Sequence, residues 1–268
     1  MENVRVYGIG PFRMAVVHGG PGAGGEMAPV ARELASSWSV LEPIQTATTL
    51  EGQVDELRTV LVSKGNIPVI VIGYSWGAWL GFMLAAKHPT VVKKLILVGS
   101  GPYETKYVSV LQETRLGRLT EKERAEFQLL IHHLNDAGAE NKDAQLARLG
   151  ALAAKADNYD PIVDEEKGAD LTGPRGDIFQ GVWASAAKMR ETGELLELAE
   201  DIRCPVVAIH GDYDPHPAEG VKVPLSGVLK DFRFILIEKC GHTPWIERQG
   251  REKFYRILRE EVAKGMMP

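Results

Sequence analysis

Along the chain, short runs of apolar, β-branched residues alternate with longer segments whose apolar residues recur every three or four positions. The runs 13–18 (RMAVVH), 38–43 (WSVLEP), 68–74 (PVIVIGY) and 93–101 (KKLILVGSG) predict buried strands. Between them, 25–37 (GEMAPVARELASS), 50–65 (LEGQVDELRTVLVSKG) and 76–89 (WGAWLGFMLAAKHP) predict helices. Strands that alternate with helices form βαβ units. Continuous apolar runs, rather than every-other-residue patterns, mean that both faces of the sheet are covered.

The alternation stops near residue 103. From there to about 199 no strand-like run occurs, and 120–135, 141–156 and 176–191 read as helices. Thr120 and Glu123 (TEKE) have the spacing of a capping box. The alternation then resumes with strands at 204–211 (CPVVAIHG) and 232–241 (FRFILIEKCG) and a closing helix at 244–264. The expected organisation is an α/β core at 1–102 and 200–268 with a helical cap at 103–199.

At the junction of the run 68–74 and the following helix stands GYSWG, residues 73–77. A serine hydroxyl attacks a carbonyl only when it is exposed, fixed and next to a base. A sharp strand-to-helix turn supplies exposure and rigidity, glycines at 73 and 77 allow close approach of the two elements, and the helix N-terminus adds a positive dipole end. Ser75 is therefore the candidate nucleophile. Its base and acid should follow in the order Ser, acid, His on loops after later strands. The loop after 204–211 offers Asp212 and Asp214, and the loop after 232–241 offers His242. Asp214 lies further along its loop and precedes a stiffening proline, which favours it as the acid and leaves Asp212 as a turn or cap residue.

Acyl transfer also requires donors for a developing oxyanion. The backbone N–H of Trp76 is one. HGGPG at 18–22 supplies the other from Gly20, with Gly19 the fallback, and His18 is expected to tie that loop down. Tyr74 and Trp183 are candidates for the substrate pocket.

HGGPG, GYSWG, GDYD (211–214) and GHTPW (241–245) together resemble the α/β-hydrolase superfamily, and within it the proline-iminopeptidase-like branch. The resemblance implies an eight-stranded, mostly parallel sheet with a helical cap after the sixth strand. Two positions depart from that branch: Tyr74 stands where a glycine is usual and Ala78 where a serine is usual. They favour a carboxylesterase-type activity over an N-terminal aminopeptidase. An aminopeptidase would need a carboxylate for the substrate's ammonium. The helical block and its edges offer Glu104, Asp157, Asp160, Asp164, Glu165, Glu166 and Asp177, mostly expected on the surface.

Other motifs give weaker readings. GPGAGG (20–25) fits the dinucleotide-binding spacing, but His18 and Gly19 intervene between the strand and the first glycine. His210, Asp212, Asp214 and His216 are all metal-ligand types, yet their alternation at a strand end points them in different directions. A non-catalytic reuse of the fold would leave the serine, aspartate and histidine unexplained. No cofactor or metal is expected.

Net charge of −5 argues against nucleic acid, and no run of about 18 apolar residues suggests a membrane span. Two cysteines make no disulfide framework, and MENVRVYGIG lacks the apolar stretch of a secretory leader. The expectation is a cytoplasmic serine hydrolase acting on a small, partly apolar ester or amide.

Overall fold

The computed structural model describes residues 3–136, 138–162 and 170–267. Seven strands, β1 (Val4–Tyr7), β2 (Phe12–Val17), β3 (Ser39–Pro43), β4 (Val69–Tyr74), β5 (Val92–Val98), β6 (Val206–Gly211) and β7 (Phe232–Ile237), form one sheet in the order β1-β3-β2-β4-β5-β6-β7. All neighbours are parallel except β1, which runs antiparallel to β3 at one edge.

The strands read as unbroken apolar runs because the sheet has two cores. Along β4, Val69 and Val71 enter one core while Ile70 and Ile72 enter the other, and β2 and β5 divide in the same way. The first core is closed by α2 (Leu50–Lys64) and α3 (Trp76–Lys87), the second by α1 (Ala28–Ala35) and α10 (Arg251–Met266). Helix α3 is buried from Trp76 to Ala86, so it carries apolar residues on every side. Among the described residues no helix is long and apolar enough to cross a membrane.

Among the described residues between β5 and β6 the chain forms the helices α4 (Val108–Gly117), α5 (Glu121–Asn135), α6 (Lys142–Asp157), α7 (Gly176–Thr192) and the short α8 (Glu194–Glu197), with single turns at some of their ends and one isolated bridge from Pro161 to Glu247. Leu134, Leu146, Leu149 and Phe179 give this block a small core of its own. Thr120 and Glu123 close the capping box at the start of α5.

The structure departs from the sequence reading at four places. Seven strands form among the described residues instead of the eight that the resemblance implies. A single antiparallel strand, β1, precedes β2, and Gly8 and Gly10, at φ +92° and +93°, end it. Helix α4 escapes a pattern search because Leu111 is its one buried residue. The helix α9 (Glu219–Val228) was hidden by its internal Pro224 and by glycines. Finally, the closing helix starts at Arg251, not at 244, because Pro244–Ile246 forms a separate turn and the Glu247 carboxylate is turned inward.

One buried charge cluster ties α10 to the sheet. Lys94 on β5 donates to the Glu261 carboxylate at 2.8 Å and to the Glu261 carbonyl at 2.7 Å, and Lys264 and Arg233 pair with the same carboxylate. Burial alone would raise the Glu261 pKa, but the three cations outweigh it and pull it down to about 2. Removing one partner of a buried pair leaves an uncompensated ion. Glu261→Ala is expected to destabilise the fold by about 3–5 kcal/mol, read as a lowered midpoint in urea unfolding. An unchanged midpoint would show that Lys94 is solvated.

Candidate active site

Ser75 stands at the sharp turn from β4 to α3, with φ 51° and ψ −111°, a backbone conformation that side chains other than glycine rarely adopt. The neighbouring glycines are required by contact. A Cβ on Gly73 would lie 2.1 Å from the Gly77 carbonyl oxygen, and one on Gly77 would lie 2.4 Å from the Val17 oxygen and 2.5 Å from the His18 oxygen. The Ser75 N–H donates to the Val98 carbonyl of β5 at 2.9 Å, which fixes the turn to the sheet.

Above this turn, Ser75 Oγ is 3.0 Å from His242 Nε2, and His242 Nδ1 is 2.7 Å from Asp214 Oδ2. Burial disfavours a charged imidazole, but the Asp214 carboxylate outweighs it and the His242 pKa is raised. Burial pushes the Asp214 carboxyl up, while the imidazoles of His242, His216 and His210 hold it well below the usual carboxylate range. Asp212 is turned elsewhere and accepts from the Cys240 N–H at 3.2 Å. The Cys240 thiol is buried, and burial pushes its pKa up.

The expectation that residues 210–216 diverge needs correction. After β6 the chain folds back through a turn in which the Asp214 N–H donates to the Gly211 carbonyl. This carries His216 onto the free side of Asp214: His216 Nδ1 is 2.7 Å from Oδ1, and the His216 N–H donates to the same oxygen at 2.9 Å. His210 Nε2 is 3.5 Å from Oδ2 and 2.8 Å from the His216 carbonyl oxygen. Ligand-type atoms of Asp214, His216 and His242 all lie within 4.8 Å of one another. The Nδ1 atoms of both histidines are engaged with the carboxylate, so the group is a hydrogen-bonded network in this structure.

The glycine-rich loop lies beside the elbow. His18 is buried; its Nδ1–H donates to the Gly19 carbonyl at 2.7 Å, and its Nε2 accepts from the Gln45 N–H at 3.2 Å. Burial lowers its pKa, which keeps it neutral. Gly20 has φ +45° and accepts from the Ala23 N–H in a tight turn. The rest of the loop meets residues 170–175. The Arg175 and Thr172 N–H groups donate to the Gly22 and Gly24 carbonyls at 2.8 and 2.9 Å. A Cβ at Gly22 or Gly25 would lie 2.2 Å from the Arg175 oxygen or 2.1 Å from the Asp170 oxygen. The backbone of residues 170–175 therefore packs directly against Gly22 and Gly25.

Tyr74 and the Trp76 side chain are buried in packing. The Tyr74 ring is 5.0 Å from that of His242 and 4.6 Å from that of Trp245, and its hydroxyl shares a 3.0 Å hydrogen bond with Thr243. Trp76 Nε1–H donates to Gln53 at 3.0 Å, while its backbone N–H opens α3 directly after Ser75. Trp183 stands in a stack with Trp79 and Phe179, at 6.2 and 6.0 Å, where α7 meets α3.

Two carboxylates passed over in the sequence reading matter here. Glu247 is fully buried and accepts the N–H groups of Gly241, Tyr159 and Asp160 at 2.8, 2.7 and 2.8 Å. The His242 N–H donates to the Asp157 carbonyl at 2.9 Å. No local signal marks Glu247, since two of its partners are 88 and 87 residues away. Glu26, in the glycine-rich stretch, is half-buried. A Cβ on Gly19 would lie 2.9 Å from its Oε2 and 2.8 Å from the Tyr74 ring. Burial raises the Glu26 pKa to about 7, against a smaller opposing pull from His242.

Of the acidic residues in the helical block and its edges, expected mostly on the surface, four are paired: Asp157 with Arg115, Asp177 with Arg175, Asp160 with Arg248 and Glu104 with Lys106, and Asp157 is buried. Asp164, Glu165 and Glu166 lie outside the described residues.

Residues 14–249 match the family model of the alpha/beta hydrolase fold. The chain belongs to this family. The α/β hydrolase is 26% identical over 218 residues, 81% of each chain, to the pimeloyl-[acyl-carrier protein] methyl ester esterase of Aromatoleum aromaticum. It is also 26% identical to the protein of that name from Chromobacterium violaceum, with 97% of each chain covered. Its fold matches the crystal structure of a proline iminopeptidase from Mycobacterium smegmatis with a TM-score of 0.64 at 20% identity, covering 98% of this chain and 94% of the other.

A carboxyl group whose pKa rises from 4.5 to about 7 on folding binds its proton more tightly in the folded state. It therefore contributes stability below pH 4.5 that is lost as pH rises through 7. Glu26→Gln should remove this dependence. The variant's melting temperature should exceed that of the wild type at pH 8, and the two should converge at pH 4. Parallel curves over that range would contradict the placement of Glu26.

Proposed function

We propose that this α/β hydrolase is a serine hydrolase that cleaves a carboxylic ester of a small, partly apolar substrate through an acyl-enzyme on Ser75. The observation that carries the reading is the run from Ser75 Oγ to His242 at 3.0 Å and from His242 to Asp214 at 2.7 Å. His242 takes the Ser75 proton as Oγ attacks, then delivers it to the leaving alcohol. Asp214 holds the Nδ1–H tautomer and stabilises the charged ring. The backbone N–H groups of Trp76 and Gly20 hold the oxyanion. Water activated by His242 then releases the acid.

Residues 103–199 act as a cap over this site in the same reading. Support comes from the hydrogen bonds that join 157–160 to the His242 loop and 170–175 to the glycine-rich loop. The ester preference is supported by the relatives' names, which are those of esterases for a pimeloyl-[acyl-carrier protein] methyl ester. Two unpaired cysteines suit a reducing, cytoplasmic setting.

A second reading, an N-terminal aminopeptidase of the proline-iminopeptidase type, is favoured by one feature. Glu26 is a carboxylate beside Gly19 with no hydrogen bond among the described residues, placed where a substrate ammonium could reach it.

The readings separate in kinetics. Short nitrophenyl esters should give kcat/KM more than tenfold above prolyl- and alanyl-nitroanilides. An anilide rate within tenfold of the ester rate, abolished by N-acetylation and by Glu26→Gln, would establish the aminopeptidase. Ser75→Ala and His242→Ala should each lower the rate by roughly 10³–10⁶ in folded protein. Because the His242 pKa is raised, kcat/KM should fall on acidification with a midpoint above 6.5.

A further inference from the structure

A serine–histidine–aspartate arrangement needs one imidazole, and this site holds two on the same carboxylate. His242 Nδ1 is on Asp214 Oδ2 and His216 Nδ1 is on Oδ1, each at 2.7 Å. The two rings stack with centroids 4.5 Å apart and an interplanar angle of 25°. An ionised carboxylate only accepts, so both Nδ1 atoms carry hydrogens. The lone pair of each neutral ring is then on Nε2, across the ring from Nδ1, and both Nε2 atoms face away from Asp214.

His242 Nε2 meets Ser75 Oγ. His216 Nε2 has no hydrogen bond among the described residues, and the His216 side chain is 12% exposed. Burial above all, with further lowering from the neighbouring His242 and Arg115, takes the His216 pKa to about 4 despite the opposing pull of Asp214, so the ring stays a neutral acceptor. His210, the other imidazole near Asp214, is spent on the His216 carbonyl.

We propose that His216 is a further catalytic residue: its Nε2 accepts the second hydrogen of the water that hydrolyses the acyl-enzyme. This rests on the acyl-enzyme reading above. The water's oxygen bonds to the acyl carbon as one of its hydrogens passes to His242 Nε2. The intermediate then collapses, the carbon–Oγ bond breaks, and His242 returns that proton to Ser75 Oγ. The other hydrogen, held by His216 Nε2, leaves on the hydroxyl of the acid. Two acceptors aim a water lone pair at the carbonyl, whereas an alcohol has one hydrogen to place and needs His242 alone.

Competition between water and methanol for the acyl-enzyme tests this directly. The substrate is p-nitrophenyl butyrate, and the methyl butyrate to butyric acid ratio is measured for the wild type and His216→Asn. The asparagine side-chain N–H stands near the former Nδ1 and keeps a donor on Asp214, but it lacks the Nε2 acceptor. Expected for the variant are slower hydrolysis after a nitrophenolate burst, a butyryl-Ser75 mass, and a methyl ester to acid ratio raised about tenfold, the worth of one hydrogen bond. His216→Phe, which keeps the stack, should show the same raised ratio.

An unchanged ratio, whether or not the overall rate falls, would overturn the proposal, since a residue that merely positions Asp214 slows water and methanol alike. Absence of butyryl-Ser75 and of any burst from both proteins, with turnover intact, would instead overturn the acyl-enzyme reading, and this one with it.

Discussion

The site depends on a crowding of backbone at the end of β4. Strand, turn and helix pass so close together that Gly73 and Gly77 leave no space for a Cβ, and Gly77 also touches the end of β2 at Val17 and His18. That approach forces Ser75 to φ 51° and ψ −111°. Such a conformation is unfavourable by itself and persists only where its surroundings over-determine it. Here the surroundings are the hydrogen bond from the Ser75 N–H to Val98 and a helix buried along its length. Because β2 is part of the same contact, the elbow and the glycine-rich loop that follows β2 are placed by one constraint.

The second half of the site hangs on a carboxylate outside the Ser75–His242–Asp214 run. Glu247 collects the N–H of Gly241, next to His242, and those of Tyr159 and Asp160, just beyond α6. Arg115 then grips Asp157 with two bonds, at 2.8 and 2.7 Å, while the Asp157 carbonyl takes the His242 N–H. The loop that carries His242 and the end of α6 are thereby one unit. A change in the helical block would reach the imidazole without touching it. Through this link the helical block sets where the His242 ring stands.

The hydrophobic pattern made most of the core legible, because covered strands and amphipathic helices differ in period and length. The meeting of Ser75, Asp214 and His242 was legible too, since each follows a strand and the topology brings strand ends to one edge. Elements without a strong apolar period were not: α4, with Leu111 alone buried, and α9, interrupted by Pro224. Glu247 lies in a stretch whose spacing reads as helix, and its role depends on backbone far away in sequence. His216 was visible as a ligand-type residue, but a strand-like alternation sent it away from Asp214. The turn after Gly211 reverses that. Glu26 gave no signal, because a lone acid among glycines resembles a solvated loop, and its burial comes from the fold.

These pieces set the partly buried Ser75 Oγ against an imidazole whose charged form is stabilised, the arrangement that the proposed nucleophile requires. Treatment with a fluorophosphonate, followed by peptide mass spectrometry, tests this most directly. The account predicts one adduct per chain, on Ser75, lost in His242→Ala at equal exposure times. An unlabelled folded protein, or an adduct on any other residue, would contradict it.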